Sequence, residues 1–332
     1  MKISEAIHLY VTVSRWEFLP AVFIGILIGI LIGANSISSI LAVNTFPFLL
    51  EGILIFILLF NVGFMVNCWA DWKVDELYKT RLYHAVKKIG RRSLGIITII
   101  HILLSLILAY HLSIVLHRIE ISILVWIGTF LGVGYSIEPI RFKKRGILHS
   151  IVALPIFFIP GVYSYFLVSP LLITDLYTIF FLIAAAGITI GHYALILVSQ
   201  AEDEPADKKM GLQTPAVKWG LVKTIKLSLS LNVFGSILAL LGLMGLFLLI
   251  NIWLFLLVPV VALGRYFSLK EVYALVKQST SLSTEFLFLQ ELRQKMIRYP
   301  LWHAYGLSGI TISGLAILLV KNFGLVQSVL KI

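Results

Sequence analysis

Charged residues are scarce in this sequence. Of its 332 residues, 13% are Asp, Glu, Lys or Arg and 59% are hydrophobic, whereas a soluble protein has about 25% charged and roughly 45–50% apolar residues. This composition excludes a soluble globular protein. The mean hydropathy of +0.99 reflects apolar runs as long as the roughly 20 residues with which a helix crosses a bilayer. We therefore expect a polytopic membrane protein.

Cysteine is almost absent as well. Cys68 is the single cysteine, so the chain cannot form an intramolecular disulfide or a cysteine cluster for a metal. The first 20 residues lack the small-residue cleavage site of a signal peptide. We therefore expect the first apolar run to be a permanent span.

Nine apolar runs lie between charged or turn-rich breaks and predict an all-α bundle of about nine transmembrane helices. Asn251 marks a turn within a stretch from Leu227 to Leu263 that is too long for one span. The predicted spans are 18–37, 47–69, 93–115, 120–138, 147–168, 172–200, 222–247, 250–267 and 301–322.

The basic residues are distributed unevenly between the predicted loops. The N-terminus and the loops after the second, fourth, sixth and eighth spans, the last of them from Arg265 to Arg298, hold 24 of the 27 Lys and Arg residues, all except Arg118, Lys321 and Lys331. By the positive-inside rule these segments face the cytoplasm and the C-terminus faces outside, as expected in a cell membrane. Topology and anionic membrane lipids account for the net charge of +11, so we expect no nucleic-acid partner.

Two acidic motifs end the second and sixth predicted spans. Asn67, Asp71 and Asp75 recur every four residues and therefore share one helical face. Ser199, Asp203 and Asp207 repeat the same step, which gives a weak internal repeat of 67–75 and 199–207. Pro205 is expected to distort or end the second of these helices.

Carboxylates this dense beside a membrane core repel one another and lose hydration, so they need cations. Their hard oxygen ligands suit Mg²⁺, which commonly bridges carboxylates to the phosphates of a substrate. Two acidic helix ends at the same membrane face could thus hold a diphosphate through Mg²⁺. The alternative is that these acids are solvated and pair with nearby lysines such as Lys73, Lys79, Lys208 and Lys209.

A basic cluster follows the fourth predicted span at the same face. Arg141, Lys143, Lys144 and Arg145 come directly after Tyr135 and Pro139. Arg binds phosphate oxygens bidentately and Lys binds them as a point charge. These residues could neutralise a leaving diphosphate, or they could serve only as a positive-inside anchor.

Together these motifs resemble those of the UbiA superfamily of intramembrane polyprenyltransferases. The first acidic set is similar to the family's NxxxDxxxD motif. A second set is similar to the family's second acidic motif and consists of Asp203, Asp207, Gly211 and Thr214. A third set is similar to the family's YSxxPxRxK segment and consists of Tyr135, Ser136, Pro139, Arg141 and Lys143.

The resemblance covers essentially the whole chain and implies a single membrane-embedded domain, 1–332, with a central cavity that opens near the cytoplasmic face. It implies Mg²⁺-dependent transfer of a polyprenyl group from its diphosphate to a lipophilic acceptor, with release of diphosphate. The metal and diphosphate would be held by Asn67, Asp71, Asp75, Asp203 and Asp207. Arg141 and Lys143 would contact the diphosphate, and Tyr135 would lie near the reacting carbon or the acceptor.

The acceptor is not fixed by these motifs. Many family members have Asn-Arg-Pro after the first motif, but this chain has the run from Glu76 to Val86 there. The segment from Gly211 to Gly220 is most similar to the chlorophyll synthase branch. An aromatic quinone precursor, a tetrapyrrole and an ether lipid all remain open as acceptors.

Several further residues are candidates for supporting roles. Tyr135, Trp69 and Trp72 adjoin the motifs and could stabilise an allylic cation through their ring faces, although Trp is also common at membrane interfaces. His84, His149 and His192 are possible general bases, and structural roles are open for all three. The polar stretch 268–298 is either a cytoplasmic cap over the mouth of the cavity or a simple connection.

An ion-coupled transporter is the main alternative from another functional class, since intramembrane acids and a repeat between halves also suit carriers. Transport acids are expected near the bilayer midplane, whereas these acids lie at helix ends beside basic loops. The sequence therefore favours phosphate chemistry at a membrane face.

Overall fold

The computed structural model describes residues 2–43, 45–145, 147–170, 174–281 and 285–325, and within them every regular element is a helix. Short 3₁₀ segments cover Trp16–Phe18, Phe142–Lys144 and Ile252–Leu257. The α-helices are α1 (Ile3–Val13), α2 (Leu19–Gly33), α3 (Ile37–Leu41), α4 (Phe46–Tyr78), α5 (Thr80–Ile89), α6 (Arg91–Val115), α7 (Ile119–Ser136), α8 (Ile147–Phe166), α9 (Leu176–Lys209), α10 (Pro215–Trp219), α11 (Leu221–Ile250), α12 (Val258–Ser281), α13 (Glu285–Met296) and α14 (Tyr299–Asn322).

Each of the nine predicted spans corresponds to a long helix, so the all-α membrane bundle is confirmed. Eight segments in the described part of the chain are long and apolar enough to cross a membrane. The region of α8 contains a shorter apolar helix, Val152–Phe166, so the count of nine is not confirmed. Residues 172 and 173 of the sixth predicted span lie outside the described residues.

Three helices continue well beyond the predicted spans. α4 runs on to Tyr78 and therefore carries all of the first acidic motif on one continuous helix. α9 continues through Pro205 to Lys209, so the expectation that Pro205 could end this helix is wrong. Proline removes its own N–H bond and crowds the carbonyl four residues earlier, but the turn that follows still closes because the Met210 N–H donates to the Ala206 carbonyl, 3.0 Å away.

α12 gives the third correction. The predicted span ends at residue 267, with Arg265 counted among the basic residues of the loop that follows, but Arg265 lies well inside α12, within an apolar segment that runs from Ile252 to Thr280. Only 5% of the residue is exposed. A charged residue ends an apolar run in a sequence, yet a helix can continue past it where other helices supply polar partners.

Close helix packing holds α9 in place. A side chain at Gly235 of α11 would lie 2.7 Å from the Gly187 carbonyl oxygen of α9, and one at Gly242 would lie 2.7 Å from the Phe180 carbonyl oxygen. Small residues permit this approach between membrane helices. α11 thereby fixes the helix that carries the second acidic motif.

Two short helices lie beside the first acidic motif. α5 begins directly after Lys79 and buries Leu82, Ala85 and Val86. α1 packs against it, and Lys88 pairs with Glu5 at 3.0 Å. The end of α4 is therefore covered on one side by packed helices.

Candidate active site

A polar pocket of about 130 Å³ lies where the two acidic motifs end. All eight residues predicted from the sequence to form the site line this pocket: Asn67, Asp71, Asp75, Tyr135, Arg141, Lys143, Asp203 and Asp207. Six further residues complete the lining: Lys79, His149, Gln200, Ala206, Leu212 and Thr214.

Asp71 is held between two cations. Arg141 Nη2 donates to Asp71 Oδ1 at 2.8 Å, and Lys143 Nζ donates to Asp71 Oδ2. Lys143 also donates to Asn67 Oδ1 at 3.2 Å, and so does the Ser136 hydroxyl at 3.2 Å. The two basic residues expected to contact diphosphate are therefore held in the pocket by hydrogen bonds to the first two residues of the first acidic motif, Asn67 and Asp71.

Lys79 links the two acidic motifs across the pocket. Its ammonium lies 3.0 Å from Asp203 Oδ2. Burial lowers the pKa of Lys79, but the charge and hydrogen bond of Asp203, together with the charge of Asp75, leave the pKa above its ordinary value. Lys79 is one of the lysines expected above as possible partners of these acids, and the structure shows that pairing for Asp203. It follows Asp75 by four residues and continues the step of the motif.

Asp75 is the carboxylate with the least compensation in the first motif. The residue is buried, and its Oδ2 has no hydrogen-bond partner. Burial, with a further contribution from neighbouring carboxylates, raises the pKa of Asp75 to about 6. A buried, unpaired carboxylate oxygen of this kind is suited to bind a cation.

The described residues contain no group of three or more His, Cys, Asp or Glu side chains close enough to hold a metal ion. The donor set nevertheless fits Mg²⁺, because four carboxylates and the Asn67 amide supply hard oxygen ligands around one pocket. Mg²⁺ usually keeps waters and takes substrate phosphates as ligands, so it needs few protein ligands.

A hydrogen-bonded group of three side chains was not predicted as a unit. The Tyr135 hydroxyl lies 2.6 Å from His149 Nε2, and Gln200 Nε2 lies 2.7 Å from the same nitrogen. His149 is fully buried, and Gln200 Oε1 is buried without a partner. His149 is among the histidines considered as bases. Gln200 is not part of the four-residue repeat, which contains the neighbouring Ser199 instead, so the sequence pattern does not point to it.

An apolar chamber of about 420 Å³ adjoins the polar pocket. Asn67 and Tyr135 line both cavities and therefore mark their junction. The chamber walls are mainly apolar and include glycines at 25, 63 and 161, where an added side chain would meet nothing within 4 Å. Ser199 of the second motif lies in this chamber wall, away from the polar pocket.

Trp69 and Trp72 line neither cavity, so the structure does not support them as partners for a cation in the pocket. The guanidinium of Arg91 lies 4.1 Å from the Trp69 ring, and Trp72 stacks on Tyr83. Both tryptophans pack against an apolar cluster to which α1, α4, α5 and α6 contribute. His84 also lies outside the two cavities, beside Tyr83.

The predicted cap spans the end of α12 and all of α13. Phe288 and Leu292 of α13 are buried in a cluster with residues of α9, α11 and α12. No described residue of 268–298 lines either cavity, and residues 282–284 lie outside the described part of the chain.

Solved structures with the same fold come from UbiA homologues. A UbiA homologue from Archaeoglobus fulgidus, bound to DMAPP and Mg²⁺, is 19% identical; the match covers 91% of this chain and 99% of that one, with a TM-score of 0.60. The homologue bound to GPP and Mg²⁺ is 18% identical over 91% and 99% of the two chains, with a TM-score of 0.59. A digeranylgeranylglyceryl phosphate synthase is 18% identical over 93% and 99%, with a TM-score of 0.56.

The long apolar helices of the described chain are those of an integral membrane protein. No curated protein matches the sequence. The model of the UbiA prenyltransferase family matches residues 22–290. The chain therefore belongs to the UbiA prenyltransferase family and is a prenyltransferase.

Proposed function

We propose that this protein transfers a polyprenyl group from an allylic polyprenyl diphosphate to a lipophilic acceptor and releases diphosphate, with Mg²⁺ as cofactor. The observation that supports this most directly is the junction of a charged pocket with an apolar chamber at Asn67 and Tyr135. A prenyl diphosphate has the matching polarity, because its anionic head suits the pocket and its hydrocarbon chain suits the chamber.

Mg²⁺ would be held by Asp71, Asp75, Asp203 and Asp207 with the Asn67 amide, and when bound it would stabilise the negative charge that develops on the leaving diphosphate. The unpaired Asp75 Oδ2 supports this assignment. Two A. fulgidus structures contain Mg²⁺ together with DMAPP or GPP, which supports the same substrate class here.

Arg141 and Lys143 are proposed to bind the diphosphate oxygens. Both contact Asp71, and their side chains are 12% and 11% exposed. An anionic substrate in the pocket would compete with Asp71 for these cations. The basic residues can therefore exchange one anionic partner for another without being left buried and uncompensated.

Tyr135 is proposed to lie beside the carbon that carries the positive charge when the diphosphate departs. Its ring can stabilise that cation by roughly 0.5–2 kcal/mol where water is excluded. Its hydroxyl contacts His149 at 2.6 Å, which gives the acceptor's proton a route through the Tyr135 hydroxyl to the His149 imidazole. The apolar chamber keeps water away from the cation.

The carrier hypothesis is disfavoured by the position of the charges. The acids and their counter-ions meet at the ends of α4 and α9, beside a basic segment, and the mainly apolar cavity that continues into the bundle has no Asp or Glu among its described lining residues. A cation-coupled carrier would need acidic side chains along that depth.

The test is turnover by the purified full-length protein. We expect prenyl diphosphates to release diphosphate in step with formation of a prenylated acceptor, only with Mg²⁺ present, across a panel of aromatic acids, naphthoates, tetrapyrrole acids and glyceryl ethers. Equal turnover in EDTA, or diphosphate release without any product from a folded protein and the whole panel, would contradict the proposal.

A further inference from the structure

Three ionisable side chains from three helices lie together inside the bundle, and the proposed chemistry uses none of them. His192 lies on α9, His303 on α14 and Arg265 on α12. The Nδ1 atoms of the two histidines are 2.7 Å apart, and their rings stack with centroids 4.8 Å apart. Ionisable residues within membrane spans are costly and usually serve a function.

Arg265 lies next to this histidine pair. It packs against Gly191, the neighbour of His192, and its Nη1 donates to the Gly306 carbonyl, 3.4 Å away and one turn from His303. Its other partners are Asn232 Oδ1 and Ser236 Oγ, each at 2.8 Å. All of these partners are neutral. Among the described residues, no Asp or Glu forms an ion pair with the buried charge of Arg265.

The described lining of the apolar chamber also contains potential cations but no acids. His192 and His303 are part of its wall, whereas no Asp or Glu is found among its described lining residues. Arg15 also lines the chamber but already contacts Glu17 at 3.4 Å. An anionic group that enters the chamber would therefore meet the histidine pair in the wall, with the buried charge of Arg265 behind it, and would meet no carboxylate among the described lining residues.

The histidine pair can hydrogen-bond an oxygen while both rings are neutral. One imidazole donates its Nδ1–H to the Nδ1 of the other. The ring that accepts this bond must then carry its proton on Nε2, and this N–H can be donated to an oxygen of a ligand.

We infer that His192 and His303 bind the acceptor through an acidic oxygen, a carboxylate or the oxygen of an ionisable phenol or enol, with Arg265 behind them favouring the anion. This inference rests on the proposed function and narrows its acceptor to lipophilic acids. His192 lies about 16 Å from Asp203 along α9 at 1.5 Å per residue. The acceptor's acidic oxygen is therefore held apart from the diphosphate, within the chamber that Tyr135 and Asn67 close at its polar end.

The direct test is equilibrium binding of a fluorescent hydroxynaphthoic acid and of its methyl ester to the purified full-length protein. The wild type should bind the acid about tenfold or more tightly than the ester, the effect expected for a hydrogen bond to a charged group. His303→Asn keeps a polar group near the Nδ1 position but removes the Nε2 position, so the preference should disappear. His303→Gln places an amide near Nε2 and should restore part of it, and His192→Asn should also lose the preference.

The matched control is His101→Asn, which removes another histidine within a span, one that contacts Tyr10 at 2.8 Å and lines neither cavity. It should bind both compounds as the wild type does. Equal binding of acid and ester by the wild type, no binding of the acid, or an unchanged preference in His303→Asn would overturn the inference. Mg²⁺-dependent binding of a prenyl thiodiphosphate checks the fold of each variant. Failure of that binding in the wild type counts against the proposed function and leaves the acid–ester comparison standing.

Discussion

Tyr135 is the residue at which the charged pocket and the apolar chamber meet, and its hydroxyl contacts His149. We predict that Tyr135→Phe lowers kcat about tenfold or more, because the hydrogen bond to His149 is lost while the aromatic ring remains. The KM for the prenyl diphosphate should change little. Steady-state kinetics with purified protein measures both.

Tyr10→Phe is the matched control for this change, since Tyr10 also contacts a histidine, His101 at 2.8 Å, but lines neither cavity. Its kinetics should equal those of the wild type. A wild-type kcat in Tyr135→Phe would show that the Tyr135 hydroxyl takes no part in the mechanism.

The residues of the pocket could be predicted where their spacing follows a helix. Asn67, Asp71, Asp75, Asp203 and Asp207 share a four-residue step, and a helical face brings such residues together without any knowledge of the tertiary structure. Gln200 and His149 could not be found in this way, because they meet only where α9 packs beside α8.

At the scale of the helices, α8 contributes to the depth of the chamber. Gly161 lies 14 residues after Ile147, where α8 begins beside the basic segment, which corresponds to about 21 Å of helix. A side chain at Gly161 would project into open space. We predict that Gly161→Leu lowers turnover of geranylgeranyl diphosphate much more than that of dimethylallyl diphosphate, because the leucine fills the deep part of the chamber.

Gly63→Leu provides the comparison, since Gly63 lies one turn from Asn67 and also faces open space. A leucine there should slow every chain length, because it obstructs the chamber near its junction with the pocket. Competition assays between the two diphosphates measure the selectivity. An unchanged chain-length preference in Gly161→Leu would show that the prenyl chain does not reach this part of the chamber.

Arg265 illustrates why helix boundaries were harder to predict than helix positions. The apolar runs locate every long helix, but they end the eighth predicted span at residue 267, just after Arg265, whereas α12 continues to Ser281. Arg265 remains inside α12 because Asn232 and Ser236 of α11 accept its hydrogen bonds, and no hydropathy pattern contains that information. For the same reason, the hydropathy pattern does not locate the last turns of α4 and α9, which carry the acids.

At the scale of the whole molecule, the distribution of basic residues predicts how the bundle is oriented. The polar pocket lies at the end of the bundle that carries most of the Lys and Arg residues. We therefore predict a cytoplasmic mouth and N-terminus and an external C-terminal side, in a cell membrane, with α8 as a ninth crossing.

Labelling with a membrane-impermeant maleimide measures this orientation. In a Cys68→Ser background, a cysteine at Leu325 should react in intact cells and one at Lys2 only after permeabilisation. Eight crossings would place both positions on the same side, so identical labelling of the two would contradict the predicted topology.

The central claim is that the two acidic motifs act as one site for a metal and a diphosphate. The most direct test is Mg²⁺-dependent binding of a non-reactive prenyl thiodiphosphate to the wild type and to Asp71→Asn, Asp75→Asn and Asp203→Asn. We predict that each single substitution abolishes Mg²⁺-dependent binding because each removes a ligand, and that the bundle stays folded because its large apolar clusters lie away from the pocket. Binding at wild-type affinity by any of the three variants would contradict the account.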